Sequence, residues 1–556
     1  MFHLTHTGIT QLSIIIIITV YCVSLSHQYC EDFDNLSDDI LDEDEDFKKN
    51  IDRLRNACDE FPSMFDVYDA PGHQANGLRS FVGLIGKYFT KLVKIEAKRR
   101  STYVSLVYGK QPILPNNVKN GANVLTSMLD IVHTMIDERQ HPGKPSNALS
   151  VAHQLLDIDY NSLRAFMELD TFWLTPYMKM PLILYRTLHC LTLHRPMHFR
   201  IVEMPHAYDA AARFAVDGDV FQLKKIWHFW QTQATTDSSL LTHIETPPHY
   251  SHVISDNGTI ESVYNYDQNE RMIKSQVIRS GKPNGDIVIH AHGGGFVELH
   301  PLSHSPYLAR WAEKLDGLTF ITVDYRLSPE HKYPAALQDL LDVWTWLTDK
   351  SNTDHVREVL GFEPKRIVLF GDSAGGNLGL ALLRILGRIG GQLPDGLYFL
   401  YPHTTLTLTS MTKVSKVFMA IDAILPMSSF FSWTEAYAPG FYDYSSSKSW
   451  HRSSQLEQRI HEIETKSQTD DLFNPMLGDF DDFKDIPLLV ACGDYDPLLD
   501  DSIELVKRWP GKAVELFIIK GQSHGFPLSI ELSKVARHDI DACGQRLAEL
   551  LNFDYR

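Results

Sequence analysis

RIVLFGDSAGGNLGLALLRILGRIG, residues 366–390, is the stretch whose reading decides the fold. It opens as an apolar run of strand character and closes with Leu and Ile at helical spacing. Gly-Asp-Ser-Ala-Gly-Gly joins the two halves. A buried strand that turns at once into a helix through Gly-x-Ser-x-Gly is the layout of an elbow that presents its serine, here Ser373. So sharp a turn leaves room only for small residues two before and two after the serine, and Gly371 and Gly375 stand there. The new helix, starting at Ala374, aims free N–H groups and its positive dipole end at the same place.

The same pattern recurs in GQSHG, residues 521–525. Ser523 also follows a strand-like run, VELFIIK, but Pro527 comes four residues later, too deep in a first turn for an elbow helix. Too little chain follows Ser523 to supply an acid and a base. The histidine in this second copy is therefore the residue of interest.

Working outward from 366–390, strand-like runs alternate with helical ones. They are DIVIHAH (286–292), LTFITVDY (318–325), GLYFLYP (396–402), IPLLVACGD (486–494) and VELFIIKG (514–521). AALQDLLDVWTWLTDK (335–350) lies between two of them as a helix. Near-continuous apolar strands separated by helices predict a mostly parallel sheet covered on both faces, with function at the carboxyl ends of the strands. Upstream, residues 50–243 read as helical, with FKKNIDRLRNACDEF, LRSFVGLIGKYFTKLVKIEAKRR and ANVLTSMLDIVHTMIDER carrying apolar residues every three or four positions. The Pro pair and Asn-Gly of IETPPHYSHVISDNG (244–258) mark the boundary. The expected organisation is an apolar leader and acidic tether (1–49), a helical domain (50–243) and an α/β catalytic domain (244–556) with a short insert around 403–470.

Bulk properties narrow the function. A net charge of −18 argues against a nucleic-acid surface, and ten acidic residues between Glu31 and Asp46 read as a solvated tether. Six scattered cysteines are no disulfide framework and suit a reducing compartment. Against this, LSIIIIITVYCVSL (12–25) has the length of a signal-peptide core, although no Lys or Arg precedes it. Asn35 and Asn257 stand in acceptor sequons.

Each strand end supplies a candidate part. After VELFIIKG comes His524, placed to be a general base for Ser373. After IPLLVACG comes DYDPLLDD, with Asp494, Asp496, Asp500 and Asp501. Asp500 and Asp501 read as caps of the helix SIELVKRW. Asp496, within the loop and before Pro497, is the favoured orienting acid, and Asp494 its rival. After DIVIHA comes HGGGF: His292 and Gly293 lead into Gly294 and Gly295, whose uncovered amides, with that of Ala374, would bind an oxyanion. Asp372 and Glu298 flank the site in structural roles. No metal or cofactor is implied.

HGGGF, VDYRLSPE, GDSAGGN, DPLLDD and SHG, in this order, resemble the hormone-sensitive lipase family of α/β hydrolases over about residues 286–530. SHSPYLARWAEKL, KVFMAIDAILPMSSFFSWTEAYA (416–438) and LLVACGDYDPLLDDS are similar to the animal branch of that family. The resemblance implies an α/β-hydrolase fold with a mostly parallel sheet behind a helical N-terminal domain. It selects Asp496 as the acid, because the family carries its acid at the first position of Asp-Pro-x-x-Asp-Asp. It implies a lipase acting on acylglycerols, diacylglycerol foremost, and on cholesteryl and short-chain esters, in the cytosol and on lipid droplets. A signal or anchor at residues 12–25 is the alternative location. The family's long regulatory insert has little room between Ser373 and Asp496, and residues 442–470 look like a short remnant. A general carboxylesterase or amide deacetylase is the rival activity. Non-catalytic receptors on this fold typically lose the histidine, which is present here. Long-chain preference would come from apolar stretches such as FVGLIGKYF and MPLILYRTLHCLTLH.

Overall fold

A computed structural model describes residues 44–101, 116–140, 148–156, 241–246, 252–256, 258–262, 272–328, 330–422, 424–438, 465–511, 513–530, 534–553 and 555. The apolar leader, the asparagines of both sequons, the MPLILYRTLHCLTLH stretch and most of the 442–470 remnant lie outside these residues. None of the described helices is long and apolar enough to cross a membrane.

Ten strands are described: β1 (Leu241–Thr246), β2 (His252–Ile254), β3 (Ile260–Ser262), β4 (Ile273–Arg279), β5 (Asp286–Ala291), β6 (Thr319–Val323), β7 (Arg366–Asp372), β8 (Gly396–Leu400), β9 (Leu488–Gly493) and β10 (Val514–Ile519). Eight form one sheet in the order β1-β4-β6-β5-β7-β8-β9-β10, and β2 pairs with β3 in a hairpin. From β6 to β10 every neighbouring pair is parallel, while β4 is antiparallel to both β6 and β1. All six apolar runs predicted as strands are strands of this sheet. Every residue of β5, β6, β8 and β9 is buried, as a sheet covered on both faces requires. β4, IKSQVIR, escaped the sequence reading because Ser275 and Gln276 interrupt its apolar pattern, yet both are buried.

Register brings the working ends together. Ala291 at the end of β5 pairs with Gly371, and Asp372 with Leu400 of β8, so the loops after β5, β7 and β8 leave the sheet side by side. Gly493 pairs with Ile519, which sets the loops after β9 and β10 next to each other. The helix after β7 runs Ala374–Ile389 and ends on Gly390 in the left-handed conformation (φ 64°), whose N–H caps Leu386 O.

The chain divides into two compact units that interleave along the sequence instead of meeting near residue 244. The expected boundary falls inside β1, and the described residues of 69–77, 131–140 and 148–156 group with the sheet. Helix Ala148–Leu156 packs on the 3-10 turns Leu408–Thr412 and Val414–Ala420, with Val151 and Leu155 buried. An apolar helix of nine residues is too short to persist alone and needs such a partner.

The other unit is helical, as expected. Its helix Glu45–Glu60 starts within the acidic run: Asp44 caps it by accepting from Phe47 N at 3.0 Å, and Glu45 and Asp46 occupy the first turn. The end of that run is therefore a helix start and not a tether, because carboxylates are stabilising beside unpaired N–H groups. In FVGLIGKYF, Phe81, Leu84, Ile85, Tyr88 and Phe89 are all buried, so these side chains form helix-packing core and present no lipid-facing surface.

A buried ionic cluster fastens the segment after β8 to the helix Leu499–Arg508. Asp501, fully buried, takes Lys413 Nζ at 3.0 Å and Lys416 Nζ at 2.5 Å, while Lys413 also reaches Glu504 at 2.7 Å. Burial alone would raise the Asp501 carboxyl, but the two ammonium groups hold it at about 2. Removing one partner of such a group leaves uncompensated buried charge. Asp501→Asn should cost about 3–5 kcal/mol of unfolding free energy, measured by urea denaturation, whereas Arg357→Gln in the exposed Asp354–Arg357 pair should leave the denaturation midpoint unchanged.

Candidate active site

The turn at residues 371–375 has the strain its sequence requires. Ser373 sits at φ 53°, ψ −117°, an unfavourable conformation for a residue with a side chain. A Cβ on Gly371 would strike Gly375 O, and one on Gly375 would strike Ala291 O. Two close backbone approaches, and not flexibility, thus set the glycines. Ser373 N–H donates to Leu400 O at 3.0 Å and Ser373 O accepts from His403 N at 2.9 Å, which ties the elbow to the loop after β8.

His524, from the loop after β10, places Nε2 3.0 Å from Ser373 Oγ. Its Nδ1 lies 3.0 Å from both carboxylate oxygens of Asp496, from the loop after β9. Asp496 is fully buried and its Oδ1 also accepts from Leu498 N at 2.7 Å, which orients the carboxylate. With Nδ1–H donating to Asp496, Nε2 is left to accept the serine proton. Burial would lower the His524 pKa, but the Asp496 charge and hydrogen bond, helped by Asp422 and Asp372, raise it above 6.5.

The other acids of DYDPLLDD go elsewhere. Asp494 Oδ1 accepts from Gly521 N at 2.6 Å and so braces the turn that leads to His524. Asp500 and Asp501 do not cap a helix: they lie within the first turn of Leu499–Arg508. Asp500 instead accepts from Gly77 N at 2.8 Å and Ser415 N at 2.9 Å, because folding delivers two buried N–H groups that need an acceptor. Ser523 is buried beside His524 and is followed by the 3-10 turn Phe526–Ser529, with no elbow helix.

The glycine loop after β5 is strongly turned, with Gly294 at φ 112° and Gly295 at φ 60°. A Cβ on Gly294 would meet Glu298 O, and one on Gly295 the ring of Trp433. The N–H groups of Gly294, Gly295 and Ala374 have no acceptor among the described residues, as an anion cradle requires. Gly293 N–H is used differently: it donates to Asp372 Oδ1 at 3.0 Å. His292 is structural, its Nδ1 2.7 Å from Gly293 O and its ring stacked on Tyr325 at 4.2 Å. Phe296 stacks on Tyr437 at 3.8 Å and closes the loop.

Residues 288–528 match a family described by its α/β hydrolase fold. This segment has the α/β-hydrolase fold. The domain is similar to hormone-sensitive lipase of Mus musculus, 37% identical over 152 residues, which is 27% of this chain and 19% of that protein. The chain therefore spans about a fifth of the length of that relative. It is 27% identical over 294 residues to the carboxylesterase/phospholipase LipF of Mycobacterium tuberculosis, covering 52% of this chain and 69% of the relative. A crystal structure of an esterase from the bacterial hormone-sensitive lipase family superposes with a TM-score of 0.44 at 21% identity, over 66% of this chain and 98% of that one.

Three features of the hydrolase domain had no signal in its motifs. Asp422 Oδ2 accepts from His524 N at 3.1 Å. His403 is buried against Phe430, ring centroids 5.1 Å apart, and its backbone holds the elbow. Trp433 lies on the oxyanion loop. All three come from the segment between β8 and β9, whose sequence gives no hint of which loops it touches.

The histidines carry an acid-stability signature. Burial, first of all, lowers His290 to about 4 and His292 and His403 to about 3, from an ordinary 6.5. Each folded-state pKa lies below the unfolded value. Each group's contribution is thus complete above pH 6.5 and lost as pH falls toward the folded pKa. Below about pH 6 each should remove about 1.4 kcal/mol of stability per pH unit. Urea denaturation at pH 6.5 and 5 should show this steep loss, and His403→Phe should flatten it by about one third.

Proposed function

We propose that the chain is a serine ester hydrolase acting on acylglycerols, diacylglycerol foremost, and on other lipid and short-chain esters at a lipid surface. The observation that carries this is the unbroken run of 3.0 Å contacts from Asp496 through His524 to Ser373, on an elbow next to three unused N–H groups. Among the described residues, these three unite a nucleophile, a base and an orienting acid. The similarity to hormone-sensitive lipase supports the lipid-ester part of the reading.

The steps follow from the geometry. Ser373 Oγ attacks the ester carbonyl carbon while His524 Nε2 takes its proton. Asp496 keeps Nδ1–H directed at itself and stabilises the imidazolium. The carbonyl oxygen, now an anion, is held by the amides of Gly294, Gly295 and Ala374. Collapse breaks the C–O bond and the departing alcohol takes the proton from His524. Water, deprotonated by His524, then attacks the acyl-serine, and the fatty acid leaves as the serine is regenerated.

Hydrolysis of small soluble esters is the second reading. It is favoured by the similarity to an esterase of Acinetobacter venetianus, 30% identical over 241 residues, 65% of that protein and 43% of this chain. An assay against acyl esters of increasing chain length separates the two readings.

Three results are expected. Ser373→Ala abolishes ester hydrolysis, on the order of 10⁶ in turnover by analogy with a protease triad, whereas Ser523→Ala keeps most of it. Asp496→Asn lowers turnover by roughly 10⁴ through the wrong histidine tautomer, and Asp494→Asn by far less. Because the base must be neutral and its pKa is raised, kcat/KM should fall as pH drops, with a midpoint above 6.5. A chain that loses activity with Ser523 and retains it without Ser373 would reverse the assignment of the nucleophile.

A further inference from the structure

Asp422 lies in KVFMAIDAILPM, between β8 and β9, and is 3% exposed. Its Oδ1 accepts from Ile424 N at 2.8 Å and Leu425 N at 2.7 Å, the self-turning pattern that fixes an Asp side chain on its own backbone. That leaves Oδ2 aimed outward, and it accepts from the backbone N–H of His524 at 3.1 Å. The histidine is thus held twice: its ring by Asp496 and its main chain by Asp422. Two buried carboxylates therefore hold one histidine.

Resting on the serine-hydrolase reading, we propose that Asp422 is a positioning residue for His524, which fixes the backbone of the base and presents a second carboxylate to the imidazolium formed during turnover. The ring must stay in line between Ser373 Oγ and Asp496 through two proton transfers, and its loop is short. A carboxylate accepting the His524 N–H opposes rotation of that loop. A second negative charge in a site closed to water also favours the cation. The groups that face this pair are Asp496 after β9, Asp372 at the end of β7, Lys416 on the segment before Asp422, and the rings of Tyr401 and His403 after β8. Burial raises the Asp422 carboxyl above its ordinary range, His524 counters this, and Asp496 adds to it. The Asp422 and His524 charges therefore support each other.

Two variants grade the loss. Asp422→Asn removes the charge and keeps one carbonyl oxygen, enough for either the His524 N–H or the Ile424 and Leu425 N–H groups, whereas Asp422→Ala removes every acceptor. With p-nitrophenyl butyrate as substrate and the full chain as enzyme, Asp422→Asn should lower kcat about 3–10-fold at unchanged KM. The acid limb of its kcat profile should move down by about half to one pH unit. Asp422→Ala should lower kcat at least tenfold further. The downfield proton resonance of His524 Nδ1–H, followed against pH, should show the same downward shift in Asp422→Asn. That readout needs no turnover and requires only that the isosteric variant melts cooperatively like the parent.

An unmoved His524 titration in Asp422→Asn would overturn the charge part. Turnover within twofold of the parent in Asp422→Ala would overturn the positioning part. Failure of the underlying reading looks different: p-nitrophenyl butyrate hydrolysis would then survive Ser373→Ala.

Discussion

The buried carboxylate of Asp372 is the constraint on which the rest of the site depends. It ends β7 immediately before the nucleophile and has almost no access to water. A charge in that position survives only if it is fully paired, and it is: His290 Nε2 lies at 2.9 Å, His304 Nε2 at 3.1 Å and Gly293 N at 3.0 Å. Burial would raise this carboxyl, but the two imidazoles hold it far below the ordinary range. Through these bonds one side chain ties β5, the glycine loop and the helix Pro301–Lys314 to the elbow. Ser373 and the open amides of the glycine loop are thereby fixed relative to each other through one buried carboxylate.

A second frame is laid over this one by the chain between β8 and β9. His403 N–H holds Ser373 O, Asp422 holds the His524 backbone, Trp433 lies on Gly295, and Tyr437 stacks on Phe296. Ser373, His524 and the glycine loop are therefore all touched by one segment. That segment is anchored in turn by the Lys413–Asp501–Lys416 cluster and by Ser415 against Asp500. Gly77 shares the Asp500 carboxylate, and helix Ala148–Leu156 packs on the same segment. Residues far upstream of β1 thus contribute to the surroundings of the acid loop.

The electrostatic character of the site follows from which groups meet a charge of opposite sign. His292 and His403 are buried without a carboxylate bonded to the ring, so burial wins and both stay neutral. His524 is as deeply buried but faces Asp496 across Nδ1, and its pKa moves the other way. The opposite shifts of these imidazoles follow from that one difference.

The sequence by itself determined the strands that end at the site and the residues that end them. RIVLFGD, DIVIHA, LLVACG and VELFII are apolar runs too short and too β-branched for helices, and the small or polar residues after each have little other use. The elbow was legible because its sterics act within five residues. Tertiary structure alone decided what depends on neighbours distant in sequence. Asp496 is favoured over its rival Asp494 by its place before Pro497 and by the family resemblance, but only the β9–β10 register shows one turned toward Gly521 and the other toward His524. Asp500 and Asp501 look like caps until buried amides and lysines from residues 77 and 413–416 arrive beside them. Asp422 reads as a local turn, because the amide it holds is 102 positions away. Local patterns are set by backbone sterics and side-chain periodicity. The pairing of buried charges is set by which segments the fold brings within about 3 Å.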